Sequence, residues 1–240
     1  KMKTGECSML GVRGGIGSKY LLSVIAMLMS AMWTGVYAQS VTADVASERV
    51  RAVEAQAELI RELSGMGVLD QTIRTTFLDL RRDASDADRA IMDREAGAVI
   101  DRIDKAHEAR LRELLKQREG WFPISAVGRR AAEAAYQIVQ HSDDQAFKKD
   151  ALERMKPLLG TGEIVDSLYA QMLDRYELGE GRLQIYGTQG TTCNGERHAL
   201  PADVAEPETL NARRTAVGLK SMDEYLGELD TMYGRCTPRP

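Results

Sequence analysis

The sequence is poor in cysteine, histidine and aromatic residues, and it lacks the short motifs of common enzyme classes. Its 240 residues include three Cys, three His and 5% aromatic residues. With no Cys-x-x-Cys and no two-His spacing, neither a metal site nor another cofactor is predicted. Gly-x-Ser-x-Gly, His-Glu-x-x-His and Gly-x-Gly-x-x-Gly are also absent. No motif therefore states a reaction, and whether the protein is an enzyme stays open.

No apolar run reaches the roughly 20 residues that a transmembrane helix needs. The apolar run 21–33 follows a basic leader, and Val36 and Ala38 are small residues at the −3 and −1 positions of a cleavage site. We therefore predict a secretory signal peptide over 1–38, with an uncleaved anchor as the alternative. The mature protein, 39–240, is expected to be periplasmic or secreted and to have no membrane span.

The charge balance argues against nucleic acid as a partner. Removing the leader's four basic residues and one acid leaves 28 Lys and Arg against 35 Asp and Glu, a net charge of about −7. Such a surface disfavours phosphate backbones, so the expected partner is a small polar ligand or another protein. Of the three cysteines, Cys193 and Cys236 remain after cleavage. An oxidising compartment would allow a disulfide between them, and the sequence leaves open whether it forms.

Apolar residues recur at spacings of three and four along most of the chain, which predicts a mainly α fold. The predicted helices cover 41–64, 70–81, 88–119, 125–141, 142–159, 163–178, 208–217 and 222–233. We expect the first helix to break at Gly65-Met66-Gly67 and Ser85 to cap the helix 88–119. Ser142 with Gln145, and Ser221 with Glu224, are expected to form capping boxes. Alternation over 182–187 and the turn dipeptide Asn194-Gly195 predict a small β-hairpin near 182–200. The expected fold is a helical bundle or hairpin of about six to eight helices with this β-element.

The predicted organisation after the leader has two parts. Residues 39–119 hold N-terminal helices, including a long and highly charged one over 88–119. Residues 120–240 form a helical domain with the β-hairpin, and we expect this domain to fold as one unit with 70–119. The long helix is favoured as part of a helical hairpin over an independent coiled coil, because its heptad pattern slips near His107.

His141 is the candidate catalytic residue, with Asp143 as its partner. It continues the apolar stripe of its predicted helix to the helix end, where a carboxylate could fix the imidazole tautomer for general base catalysis. The structural alternative is that His141 offsets the helix dipole while Asp143 caps the next helix. Of these two roles, we expect the structural one for His141.

Four further residues are candidates for ligand binding. Arg175 is expected at the edge of the apolar side of its helix, with Asp174 pointing about a quarter turn away. Gln184 and Tyr186 are expected to face one side of a short strand, with Leu183 on its opposite, covered side, and Gln189 follows them. Together with His141 they could line a polar groove. The alternatives are a paired structural arginine and an ordinary edge strand.

The motifs of this region resemble, in their joint order, a family of bacterial proteins known only as a domain of unknown function. The resemblance covers about 70–225. The matching residues are Gly120, Trp121, Pro123, Gly128, Val139, Gln140, His141, Asp143, Asp174, Arg175, Gln184, Tyr186, Gly187, Thr188, Gln189, Arg213, Arg214, Val217, Gly218 and Leu219. The resemblance implies a mainly helical fold with a small β-element, and it does not point to any particular activity. Two positions depart from it, since Lys148 stands where the family has Gln and His107 where it has Asn.

Three functions follow as hypotheses from these residues. The first is binding of a polar ligand or protein partner through the groove around His141, Arg175 and Tyr186. The second is a structural or interaction protein of the cell envelope that uses the helix 88–119. The third is a hydrolase-type enzyme in which His141, oriented by Asp143, activates water and Arg175 steadies negative charge.

Overall fold

A computed structural model describes residues 17–234 and Cys236, with side chains described for 44–232 and Cys236. The described chain is mainly helical, with eight α-helices and a two-stranded antiparallel sheet, which confirms the predicted fold class. The elements are α1 (Gly17–Arg82), α2 (Asp86–Lys116), α3 (Ile124–Val127), α4 (Arg129–His141), α5 (Gln145–Met155), α6 (Asp166–Gly179), β1 (Thr192–Asn194), β2 (Arg197–Ala199), α7 (Leu210–Ala216) and α8 (Met222–Tyr233). Short 3-10 helices cover Lys156–Leu158 and Pro207–Thr209.

The chain divides into two compact units, 1–55 and 56–240. In the first unit the described backbone is helical, and the described side chains, 44–55, are exposed. The predicted leader lies outside the described residues over 1–16 and outside the described side chains over 17–38, so the signal peptide stays a prediction. Within the described part of the chain, no helix is apolar over a length that could cross a membrane. The second unit contains every element from α2 onward.

In the second unit, α1 and α2 form an antiparallel helical hairpin. Ser85 caps α2 by accepting a hydrogen bond from the Asp88 N–H. Ion pairs then join the two helices at three levels. From the turn outward they are Arg81 with Asp93, Arg74 with Asp104, and Glu62 with Arg110. The separation along the chain grows with distance from the turn, as an antiparallel pair requires. Other charges of the long helix pair within α2 itself, as Lys105 does with Asp101 and Lys116 with Glu113.

The helix break predicted at Gly65-Met66-Gly67 is wrong, because α1 continues through these residues. Gly65 is exposed, whereas Gly67 is buried against α4. A Cβ atom at Gly67 would lie 2.5 Å from Cβ of Ala134, so a side chain at this position would collide with α4. The glycine therefore allows close contact of two helices, and that packing outweighs its low helix propensity.

The main core lies where α1 and α2 meet α4, α5 and α6. Its largest fully buried side chains include Phe122, Phe147, Leu63, Leu111, Met155 and Met172. Trp121 is also buried and meets the Phe122 ring edge-on, with 5.5 Å between ring centroids. The junction after α2 is thus filled by aromatic side chains.

Two local predictions around α4 need correction. The single helix expected over 125–141 is divided at Gly128, whose φ of 77° is a left-handed conformation that favours glycine. The capping box predicted from Ser142 is absent, because α5 is capped by Asp144, which accepts from the Phe147 N–H. The Ser142 hydroxyl instead accepts from the Asp144 N–H and donates to Glu108 of α2. That contact ties the α4–α5 turn to the hairpin.

A smaller apolar cluster holds the C-terminal part together, with Val204, Leu210 and Met222 at its centre. The predicted β-hairpin forms as β1 and β2 with a turn at 195–196. Cys193 of β1 forms a disulfide with Cys236, 43 residues later. The capping box predicted at the start of α8 is also present, between Ser221 and Glu224. The C-terminal end is therefore fixed to the hairpin covalently.

Candidate functional site

A buried carboxylate organises the loop 184–189. Asp174 of α6 is fully buried, and its Oδ1 accepts hydrogen bonds from the backbone N–H groups of Ile185 (2.7 Å) and Tyr186 (2.9 Å). Its Oδ2 accepts from both the N–H and the hydroxyl of Thr188, each at 2.8 Å. These four bonds solvate the charge that burial has removed from water. The carboxylate therefore fixes the loop on α6.

The carbonyl groups of the same loop are held by two arginines of α7. Arg214 is buried, and its Nη1 donates to the carbonyls of Tyr186 and Gly187 while its Nε donates to that of Lys220. Arg213 Nε donates to the Ile185 carbonyl at 2.8 Å. The peptide dipoles of the loop thus lie between a buried anion on one side and two guanidinium groups on the other. Both ends of these dipoles are satisfied, which makes the loop rigid.

Gln184 was predicted to line a groove, and the structure corrects this. No strand forms over 182–187, since Gln184 makes an isolated bridge to Val204. Its side chain is fully buried and closes the loop, with Nε2 donating to the carbonyl of Gln189 and Oε1 accepting from the Gln189 N–H. Leu183, expected on the covered side, is half exposed. Gln184 is therefore a structural residue of the loop.

The other loop residues lie near a cavity. Gln189 Nε2 donates to the Gln171 carbonyl of α6 at 3.2 Å. Tyr186 is half-buried, and burial followed by the charge of Asp174 raises the pKa of its phenol. The predicted residues Gln184, Tyr186 and Gln189 are thus brought together in one loop.

The cavity is a pocket of about 300 Å³ between α6, this loop and the turn from α7 to α8. We call it the α6–α8 pocket, and it is lined by Ser167, Gln171, Thr188, Arg214, Gly218, Leu219, Lys220 and Tyr225. Ser167 and Gln171 lie on the same side of α6 as Asp174, at helical spacing. Arg214 stacks near the Tyr225 ring, with 5.2 Å from its Cζ to the ring centroid. Neither His141 nor Arg175 belongs to the lining.

The electrostatics of the pocket are dominated by cations. Burial lowers the pKa of Arg214, although the charges of Tyr225 and Asp174 oppose that shift. Lys220 pairs with Glu228 of α8, which is outside the lining. Among the described residues, the lining contains two cationic side chains and no acidic one.

His141 lies in a different cluster, at the junction of α1, α2 and α4. Its Nδ1 is 2.9 Å from Oδ1 of Asp70, so the predicted pairing with Asp143 is wrong and Asp143 is exposed. Asp70 is 3% exposed and also accepts from Gln71 and Arg74. Burial would raise the pKa of Asp70, but the hydrogen bond and charge of His141, with Gln71 and Arg74, hold it below its usual value.

The second histidine of this cluster is His107 of α2, one of the two positions that depart from the resembling family. It is buried, and its Nδ1 has no hydrogen-bond partner among the described residues. Burial lowers the pKa of His107, against the charges of Asp70 and Asp104. Across the described residues, no three His, Cys, Asp or Glu side chains converge as a metal site.

Arg175 was predicted at the apolar edge of its helix with Asp174 pointing away, and the structure shows the reverse. Arg175 is exposed and makes no hydrogen bond or ion pair with the described residues, whereas Asp174 is buried. The charge of Arg175 acts on Tyr136 and on Lys148, the second departure from the resembling family. Lys148 is buried and donates to the Ser142 carbonyl, and burial lowers the pKa of its amine.

Sequence reasoning missed Asp70, which lies 71 positions before His141, and it missed the pocket residues Ser167, Gln171 and Tyr225. Ser167 and Gln171 lie on the same helical face as Asp174, and this spacing could have indicated that α6 lines a polar pocket. Nothing in the local sequence marks Asp70 or Tyr225, because their neighbours in space come from distant segments.

Comparison with known proteins gives one result. No curated protein and no solved structure matches the chain. Residues 57–237 match DUF6624, a family of unknown function. The matched segment holds α2 to α8, the loop 184–189 and the α6–α8 pocket. Since the match covers most of the chain, the protein belongs to this family of unknown function.

Proposed function

We propose that the protein binds a small polar ligand in the α6–α8 pocket. The observation that carries the proposal is a set of polar groups that the fold does not use. The Ser167 hydroxyl, Gln171 Nε2, Arg214 Nη2 and the Tyr225 hydroxyl make no hydrogen bond with any described residue. None of these four groups is among the solvent-excluded polar atoms that lack a partner, so a ligand can reach them as water can. A concave site with several convergent polar groups is typical of ligand binding.

The frame of the pocket supports this proposal. Thr188 is fixed by two hydrogen bonds to Asp174, and Arg214 by its bonds to Tyr186, Gly187 and Lys220. A site whose walls are already ordered loses little conformational entropy on binding. Its volume of about 300 Å³ is at the lower end of the range for small-molecule pockets. These features favour a small ligand over a protein partner.

We further propose that binding takes place outside the cytoplasm, in the periplasm or beyond the cell. The basic and apolar leader over 1–38 supports export. The disulfide between Cys193 and Cys236 also fits an oxidising compartment.

The test is a screen of small polar molecules by NMR on the protein with 15N-labelled amides. Ligands should shift the amides of Thr188, Leu219 and Lys220, which line the pocket. Replacing Tyr225→Phe should weaken binding about tenfold, the effect of one lost hydrogen bond to a charged or strongly polar group. Tyr176→Phe is the matched control, because that tyrosine is outside the lining and should leave binding unchanged.

A second variant separates this pocket from the groove predicted around His141, Arg175 and Tyr186. Arg175→Gln should leave affinity unchanged, because Arg175 is exposed and outside the lining. If Arg175→Gln abolishes binding and Tyr225→Phe does not, the ligand lies at the groove and the proposal for the pocket is wrong.

A second candidate function is general acid–base catalysis by His141, with Asp70 in the role first assigned to Asp143. His141 Nδ1 lies 2.9 Å from Oδ1 of Asp70 and 3.1 Å from Nε of Arg74. In the tautomer that donates from Nδ1 to Asp70, Nε2 can take a proton, whereas the tautomer that accepts from Arg74 carries its hydrogen on Nε2. Arg74 and Gln71 hold the carboxylate in place.

Hydrolysis of a panel of chromogenic carboxylic and phosphate esters tests this candidate. Both His141→Ala and Asp70→Asn should lose activity, while Asp143→Asn, an exposed acid beside the same histidine, should retain it. Absence of turnover in the wild-type protein, or equal turnover in all variants, would rule out this role for these substrates.

A further inference from the structure

We infer that the ligand of the α6–α8 pocket carries an oxyanion, a carboxylate or a phosphate group, that Arg214 Nη2 binds. This inference rests on the proposed function and specifies the chemistry of the ligand. It follows from three features of the pocket, which are the state of Arg214, the composition of the lining, and the neighbouring donors.

Arg214 is a buried cation with one nitrogen, Nη2, that donates to no described group. It is 2% exposed, and its described hydrogen bonds go to main-chain carbonyls, not to a carboxylate. Nη2 has no hydrogen-bond partner among the described residues. It is also absent from the set of unpaired side-chain atoms that solvent cannot reach, so it remains accessible. Because Arg214 lines the pocket, this nitrogen is available to a ligand there.

The nearest buried acid does not occupy that donor. Asp174 lies on the other side of the loop 184–189 and accepts four hydrogen bonds, two of them from Thr188. Its charge stabilises the Arg214 cation, yet desolvation outweighs that effect and lowers the pKa of the guanidinium. An anion bound in the pocket would offset the desolvation of the Arg214 guanidinium through a short-range charge interaction.

The lining offers several hydrogen-bond donors, although its hydroxyl and amide groups can also accept. Ser167 and Tyr225 each offer a hydroxyl and Gln171 an amide nitrogen, and Lys220, which pairs with Glu228, lies beside them. Donors that come from α6, the α7–α8 turn and α8 suit a group with several acceptor oxygens. With no Asp or Glu in the lining, a ligand cation would find no counter-charge there.

The experiment measures affinity by NMR titration with inorganic phosphate, with succinate, and with succinamide, the neutral counterpart of succinate. Binding of phosphate or succinate should be at least tenfold tighter than binding of succinamide, since one charge-assisted hydrogen bond is worth about 1.5–3 kcal/mol. Tight binding of phosphate alone, or of succinate alone, supports the inference and identifies which oxyanion fits.

The diagnostic variant is Gln171→Glu, which changes shape little and places a negative charge in the lining. It should weaken anion binding at least tenfold, and by more than it weakens succinamide binding, because only the anion is repelled by the added charge. Gln117→Glu, an exposed residue at the end of α2, adds the same charge elsewhere and should have no effect. These variants avoid Arg214, whose removal would also release the loop.

Each remaining outcome overturns the inference. Equal affinity for succinate and succinamide at the pocket amides would show that a polar ligand binds without an anion, so the proposed function would stand and the inference would fail. Anion binding that persists in Gln171→Glu would place the anion elsewhere. No shift at the pocket amides with any polar molecule would refute the proposed function and the inference together.

Discussion

Replacing Asp174 by alanine should lower the free energy of unfolding by about 4 kcal/mol. The variant removes the acceptor of four hydrogen bonds of 2.7–2.9 Å, three from backbone N–H groups and one from the Thr188 hydroxyl. A hydrogen bond to a charged group contributes about 1.5–3 kcal/mol. The full sum overestimates the loss, because the loop can relax and expose its N–H groups to water.

Urea unfolding followed by far-UV circular dichroism measures this loss. Asp203→Ala is the matched control, since Asp203 accepts one hydrogen bond from the Gln184 side chain at 3.0 Å, and it should cost about 1 kcal/mol. If Asp174→Ala costs no more than Asp203→Ala, the carboxylate does not hold the loop and the account of the site is wrong.

Asp174→Asn keeps the prediction testable if the alanine variant does not fold. The remaining carbonyl oxygen can still accept from Ile185 and Tyr186, but the new amide group faces the N–H and hydroxyl of Thr188. We expect a loss of about 2 kcal/mol and faster hydrogen exchange at the Thr188 amide. Exchange unchanged at Thr188 would contradict the assigned contact.

Two further predictions concern the helix contact and the hairpin. Gly67→Ala should destabilise the protein by about 1–3 kcal/mol, because the added Cβ would lie 2.5 Å from Cβ of Ala134. Gly65→Ala, at an exposed position of the same helix, should stabilise the protein by about 0.5–1 kcal/mol. Equal effects of the two variants in urea unfolding would refute this. Hydrogen bonds from the backbone and ring of His198 lower the pKa of Asp230 to about 2. Because this value lies below that of an unfolded Asp, about 3.9, the contribution is present above about pH 4 and is lost as the pH falls toward 2. Asp230→Asn should therefore flatten the acid dependence of the urea midpoint, and an unchanged slope would exclude the contact.

The pattern of the sequence predicted the helices because their signals are local. Apolar spacing, the Ser85 cap of α2 and the Ser221 capping box of α8 each depend on residues within one or two turns. The same holds for the turn of the β-hairpin, where Gly195 adopts the positive φ of 62° that the turn needs. The two caps and the turn were confirmed, whereas the predicted helices 41–64 and 70–81 are one helix and 125–141 is two.

None of the residues predicted as catalytic or ligand-binding lines the α6–α8 pocket. The loop that holds Gln184, Tyr186 and Gln189 is one structural unit, as their grouping in the sequence indicated. The direction of each side chain was not predicted, because Gln184 turns inward to bond its own loop and Leu183 turns outward. Amphipathic spacing describes apolar residues and does not anticipate a buried polar group that finds its partners in the chain itself.

Only the tertiary structure decided which polar groups pair. Asp70 reaches His141 across 71 positions, and Arg214 reaches the Gly187 carbonyl across 27. Gly67 stays in a helix because α4 packs against it, although its sequence context predicts a break. The sequence by itself thus determined the helices and the order of the motifs, whose signals are local. The pocket and its unpaired donors depend on packing between distant segments, which no local signal encodes.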